Sequence, residues 1–244
     1  MADELKGRRA LVTGGSRGIG AAIVRQLVEA GAEVVATART APETVPDGVT
    51  FVEADVRSRA AAEALFAAAE ERLGGVDILV DNAGAGRLYA DGVVSIPDEE
   101  WQDALDINFL ASVRLDSLVV PGMRARGGGV IVHISSAVTL DPPPPFLHYA
   151  AAKAALETYS RGLAVELAGD GVRVNAISPG RVASPGADAV RLAAGVPDGA
   201  PTAPLGRGGV PDDIANMVSF LVSDRAEWVT GRTFVVDGGG FPRG

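Results

Sequence analysis

The chain of 244 residues has no cysteine, only two histidines and only 5% aromatic residues. Without cysteine there can be no disulfide, no thiolate metal site and no cysteine nucleophile, so chemistry must come from other side chains, and a reducing compartment is permitted. His133 and His148 lack partners for a ligand cluster, and no metal is expected. Long apolar runs are missing too. No uninterrupted stretch approaches the roughly 18 residues of a membrane span, which predicts a cytoplasmic protein with no membrane association. Basic charge is scarce: 22 Lys and Arg against 31 Asp and Glu leave a net charge of −9. That excludes a nucleic-acid surface, because neutralising a phosphate backbone takes clustered cations.

What is present is apolar residue in quantity, 47% of the chain, enough for one sizeable buried core. Seven short β-rich segments recur: Ala10–Thr13, Glu33–Ala38, Val49–Glu53, Asp77–Val80, Val130–Ser135, Arg173–Ser178 and Thr233–Val236. Helical patterns lie between them. In Gly18–Ala30 the residues Ile19, Ile23 and Leu27 share a face at spacing four, and Arg59–Leu73 is rich in alanine. This alternation predicts an α/β fold, a doubly wound parallel sheet of seven strands covered by helices on both faces, in a single domain spanning 1–244. The irregular, Gly- and Pro-rich stretch 180–209, with one short helix near Asp188–Ala194, is expected to be a substrate loop or lid.

The first strand runs into Thr13-Gly14-Gly15-Ser16-Arg17-Gly18-Ile19-Gly20. Glycines let a backbone approach a pyrophosphate closely, and the helix that follows offers unpaired N–H groups and the positive end of its dipole. Taken alone, such a turn can equally be a tight connection. The second strand ends Ala36-Thr37-Ala38-Arg39, with no carboxylate to accept from ribose hydroxyls. Arg17 and Arg39 would instead bracket a 2′-phosphate, which favours NADP(H) over NAD(H). Further along, Tyr149 and Lys153 stand four apart at the start of a helical segment, Tyr149–Ala168. Both therefore share one face, and the cation is expected to draw the phenol pKa down from its ordinary value of about 10.

Together these motifs resemble the short-chain dehydrogenase/reductase family, from Leu11 to Gly239. The glycine turn matches its T-G-x-x-x-G-I-G, and Asp81-Asn82-Ala83-Gly84 matches its N-N-A-G with Asp81 in place of the first asparagine. The resemblance implies cofactor contacts from Gly14, Ser16, Arg17, Gly18, Ile19, Arg39, Asp55, Val56, Asn82, Ala83 and Gly84. On the nicotinamide side it implies Pro179, Gly180 and Val182, with Tyr149 and Lys153. It also implies a catalytic set in which Ser136 polarises the substrate oxygen, Tyr149 moves the proton, Lys153 holds the ribose and supplies the charge, and Asn108 holds a relay water. The substrate would be a mostly apolar carbonyl compound or the matching alcohol, and the assembly a homotetramer. The chain is similar to the acyl-carrier ketoreductases, but Asp170 offers an acidic carrier the wrong charge. A cofactor-binding sensor without turnover and an alcohol-oxidising dehydrogenase remain open alternatives here.

Overall fold

The computed structural model describes residues 3–184, 188, 190, 192 and 203–241. One parallel sheet of seven strands forms the centre, in the order β3-β2-β1-β4-β5-β6-β7. The strands are β1 (Arg9–Thr13), β2 (Glu33–Ala38), β3 (Val49–Glu53), β4 (Ile78–Asp81), β5 (Gly129–Ile134), β6 (Val172–Pro179) and β7 (Thr233–Val236). The helices are α1 (Gly18–Glu29), α2 (Arg59–Leu73), α3 (Asp98–Leu105), α4 (Ala111–Arg126), α5 (Leu147–Leu167) and α6 (Pro211–Val222). All seven expected strands are present, each within a residue or so of its expected bounds. The helix from the tyrosine–lysine segment begins two residues earlier, at Leu147, because Pro145 and Phe146 already turn in a 3-10 coil (Pro144–Phe146) that leads into it.

Two apolar layers sandwich the sheet. On one face Ile23 and Leu27 of α1 pack with Val218 and Leu221 of α6 against Val12, Val80 and Val132. On the other, Leu65 of α2, Leu115 and Met123 of α4, and Leu163 and Leu167 of α5 cover Leu11, Leu79 and Ile131. Alternate residues of one strand thus serve opposite layers, as the pleat requires. Leu27 and Leu115 are fully buried, so truncating either to alanine would destabilise by roughly 3 kcal/mol. Local chemistry sets the helix ends. Ser58 caps α2 by accepting from the Ala61 N–H at 3.2 Å, and Gly74, at φ 70°, closes it in the left-handed conformation.

Because all strands run the same way, their carboxyl ends lie along one edge, and loops 14–17, 39–43, 54–57, 82–86 and 135–139 gather there. Strand order reverses between β1 and β4, opening a crevice at that edge. Asp188, Val190 and Leu192 of the expected helix are helical, and residues 185–187, 189, 191 and 193–202 of the 180–209 stretch lie outside the described residues. The neck of that stretch is pinned: Val182 bridges Gly209, and the Ala183 N–H donates to the Gly209 carbonyl at 2.9 Å.

Candidate active site

At the crevice lies a cleft of about 760 Å³ lined by Gly14, Ser16, Arg17, Gly18, Ile19, Arg39, Asp55, Val56, Asn82, Ala83 and Gly84, among others. Each of these was expected from the sequence to meet the cofactor. The glycine turn is built for close approach. Gly14 (φ 68°) and Gly18 (φ 55°) take left-handed backbone, and a Cβ on Gly20 would collide with the Gly14 carbonyl. No side chain caps α1, whose N-cap is Arg17, so its first N–H groups face the cleft for an anion. Arg17 and Arg39 are exposed at the cleft and make no ion pair among the described residues. Two acids line the same cleft, Glu43 and Asp55, the latter held by Arg57 at 3.1 Å. An uncapped helix start with two free guanidinium groups fits a phosphorylated dinucleotide.

Thr13 and Asn82 lock the two halves of this cradle together. The Thr13 hydroxyl accepts from the Asn82 and Ala83 N–H groups, both at 3.0 Å. The Asn82 side-chain amide donates to the Thr13 and Gly14 carbonyls at 2.9 and 3.1 Å. Thr13 was not singled out from the sequence as a site residue, although its place before the glycines was the available signal.

Gly84 joins the cradle to two residues expected from the sequence to be catalytic. A Cβ there would sit 3.0 Å from Asn108 Oδ1 and 3.3 Å from Lys153 Nζ, so the cleft floor, Asn108 and Lys153 meet at one point. Asn108 occupies a single π-helical turn, Asp106–Leu110, within the continuous helical stretch from α3 to α4. Its amide donates to the Ala85 and Ala104 carbonyls at 2.8 and 3.0 Å, and its oxygen accepts from the Ala85 N–H at 3.1 Å. The widened turn leaves room for these bonds, which an unbroken α-helix would not. Ser136 lies near enough to the Tyr149 phenol to favour its ionised form, whereas its neighbour Ser135 donates to Glu157 at 2.6 Å. Phe146 lies against Tyr149, ring centroids 4.6 Å apart.

The electrostatics depart from expectation. Burial raises the Tyr149 phenol above its ordinary value, and the nearby Ser136 hydroxyl opposes this only in part. Lys153 is 5.9 Å from the ring centroid and donates to the Ile134 carbonyl at 2.8 Å, so it does not draw the phenol down in the chain alone. Burial also lowers Lys153 to about 8, against the pull of Asp81 and Glu157. Desolvation outweighs the pair attraction for both groups.

Glu157, one helical turn beyond Lys153, was missed from the sequence. Its carboxylate accepts from the hydroxyls of Ser135, Ser178 and Thr139 at 2.6, 2.7 and 3.1 Å, clamping the segment on either side of Ser136. The spacing 149, 153, 157 was the signal. His148 does not line the cleft. It is buried among Tyr89, Trp101 and Phe146, with ring centroids 5.5, 6.1 and 5.9 Å away. Trp228 is exposed in the single chain. Pro179, Gly180 and Val182 border the far side of the crevice rather than the cleft itself. A Cβ on Gly180 would come 2.5 Å from that of Asp237, so glycine is required where β6 passes the end of β7.

A family profile described as enoyl-(acyl carrier protein) reductase matches residues 14–240. The chain is 38% identical over 252 residues to 3beta-hydroxysteroid dehydrogenase 1 of Eggerthella lenta, covering 98% of this chain and 95% of that protein. It is 35% identical to dehydrogenase/reductase SDR family member 4 of Homo sapiens over 248 residues, 97% and 88% of the two chains. The protein belongs to the short-chain dehydrogenase/reductase family. Among solved structures it is similar to the L-sorbose reductase of Gluconobacter frateurii in complex with NADPH and L-sorbose, with a TM-score of 0.88 and 33% identity over 99% of each chain. It is likewise similar to the 3-ketoacyl-(acyl-carrier-protein) reductase of Brucella melitensis in complex with NADH, with a TM-score of 0.88 and 29% identity over 96% of this chain and 98% of that one. As a member of this family the protein is an oxidoreductase that acts on a carbonyl or alcohol by hydride transfer. Among the described residues no helix is long and apolar enough to cross a membrane.

Proposed function

We propose that the protein is an NADP(H)-dependent ketoreductase in which Tyr149 is the general acid, Ser136 and Asn108 orient the reacting groups and Lys153 supplies the charge. The observation that carries this reading is the convergence of Asn108 and Lys153 on Gly84, in a cleft that also presents Arg17 and Arg39, neither paired with a carboxylate among the described residues. The cofactor, when bound, supplies and accepts hydride. Gly14, Ser16, Gly18 and Ile19 with the start of α1 would hold its pyrophosphate, Asp55 and Val56 its adenine, and Arg17 and Arg39 its 2′-phosphate. Asn82, Ala83, Gly84, Pro179, Gly180 and Val182 would border the nicotinamide half.

In reduction, the Ser136 hydroxyl donates to the substrate carbonyl oxygen, and Tyr149 gives its proton to that oxygen as it gains charge. The raised phenol suits this, since a general acid must begin protonated. Lys153 replaces the lost proton's charge, and Asn108 connects it to the Ala85 backbone. The stretch 180–209, entered over the Val182–Gly209 bridge, is read as the substrate loop of a single domain, and small apolar residues beside it favour a mostly apolar ketone. A homotetramer fits the exposed Trp228 and Val165, which subunit contacts would cover. The test is isotopic. With NADPH deuterated at the nicotinamide C4 and a panel of ketones, deuterium should appear on the carbinol carbon of a product. Tight NADPH binding with no label transferred to any carbonyl would favour the sensor alternative.

A further inference from the structure

Directly behind Lys153 lies a cluster of buried ionisable groups that the reaction above does not use. Asp81, Asp116 and His133 are 4%, 1% and 0% exposed. The parallel register sets Asp81 of β4 beside His133 of β5, and α4 lays Asp116 over them. His133 Nε2 lies 3.1 Å from an Asp116 carboxylate oxygen and 3.7 Å from one of Asp81. From α5 come Lys153, whose Nζ donates at 2.8 Å to the carbonyl of Ile134, the residue after His133 on β5, and Tyr159, with its ring centroid 5.9 Å from that of His133 and its phenol facing Asp116. Asp81 Oδ2, Asp116 Oδ1 and His133 Nδ1 have no hydrogen-bond partner among the described residues. Two buried acids next to two buried bases form a set that can balance its own charge, and a buried charge persists only when it is compensated.

We propose that Asp81, with His133 and Asp116 behind it, is a positioning residue for catalysis, its carboxylate being the counter-charge that keeps the Lys153 ammonium protonated as pH rises. The inference rests on Lys153 acting in the reaction as read above. Burial first, and Asp116 second, raise the Asp81 carboxyl well above the ordinary carboxylate range. Burial lowers Lys153 in turn, so the acid gains its negative charge nearer to where the ammonium would lose its positive one. The two titrate as a pair, and the ammonium outlasts the point at which burial alone would discharge it. For His133, burial acts downward, but Asp116 and then Asp81 outweigh it and raise the imidazole. The remaining charged neighbour of Lys153 is Glu157, on its own helix.

The chain has only two lysines, Lys6 and Lys153, which makes the test direct. Apo protein labelled with 13C at lysine Cε gives two signals, with exposed Lys6 as the reference. In Asp81→Asn, a near-isosteric change, the Lys153 titration should fall by about one unit or more. The upper limb of kcat against pH for ketone reduction should move down with it. Asp116→Asn removes the repulsion that keeps Asp81 protonated, so it should leave that limb in place or move it up. An unmoved Lys153 titration in Asp81→Asn overturns the inference, as does a downward shift of equal size in both variants, which would mean disturbed packing. The lysine shift is read without turnover. Its presence in a protein that reduces no carbonyl would therefore count against the ketoreductase reading and leave the charge network standing.

Discussion

Replacing Arg39 with aspartate should invert the cofactor preference, and the structure bounds the effect. Arg39 sits at the mouth of the cleft, exposed and without an ion pair among the described residues, so its removal breaks no fold contact. A charge-assisted hydrogen bond is worth about 1.5–3 kcal/mol, and solvent access at this position argues for the lower end. Placing a carboxylate near a phosphate dianion adds about 1 kcal/mol of repulsion in a well-solvated setting. The sum, about 2.5 kcal/mol, corresponds to about 70-fold in the ratio of NADPH to NADH dissociation constants. The new acid can also accept from the ribose hydroxyls of NADH, which adds to the swing. Fluorescence titration of both cofactors against wild type and Arg39→Asp measures the ratio. Salt should weaken NADPH binding to the wild type more than to the variant. A ratio unchanged within about twofold would refute the reasoning, and with it the place assigned to the 2′-phosphate.

Glu157→Ala removes the acceptor shared by the Ser135, Ser178 and Thr139 hydroxyls, of which Thr139 keeps the Ser136 carbonyl at 3.0 Å. It should lower stability by roughly 2–3 kcal/mol and, by loosening the segment around Ser136, lower kcat more than it raises KM, with Glu157→Gln recovering part of both; thermal melts and steady-state kinetics check this. Asp213 accepts from Arg207 at 2.6 Å and from the Val210 N–H at 2.9 Å, and the Arg207 bond chiefly holds its carboxyl down at about 2. A depressed acid stabilises the fold above its unfolded pKa of about 3.9 and loses that contribution as pH falls through the folded value. Asp213→Asn should therefore destabilise by about 1–2 kcal/mol at neutral pH, with the difference from wild type closing between about pH 4 and pH 2 in urea melts.

The fold could be read in the sequence because each strand is short, apolar and bounded by turn residues, and because helix-period segments such as Ile19, Ile23 and Leu27 alternate with them. The cofactor cradle was legible for a related reason: Gly14, Gly18 and Gly20 are demanded by backbone geometry, and such demands leave a local mark. What escaped was whatever depends on distance in space rather than in sequence. Asp81 and His133 become neighbours only through strand register, and Asp116 joins them only when α4 lies on the sheet. An acid in the apolar run Leu115–Val120 was the visible hint. The influence of Lys153 on Tyr149 was misjudged because spacing reveals proximity but not burial, and here desolvation outweighs the attraction. The π turn at Asn108 has no local signature in Asp106-Ile107-Asn108-Phe109.

The most direct test of the central claim is the turnover of Tyr149→Phe with NADPH and the best ketone of the panel, measured beside its NADPH affinity. The account predicts affinity within about twofold of wild type and a loss of at least about a hundredfold in kcat, the contribution of a positioned general acid. Turnover close to wild type in that variant would contradict it.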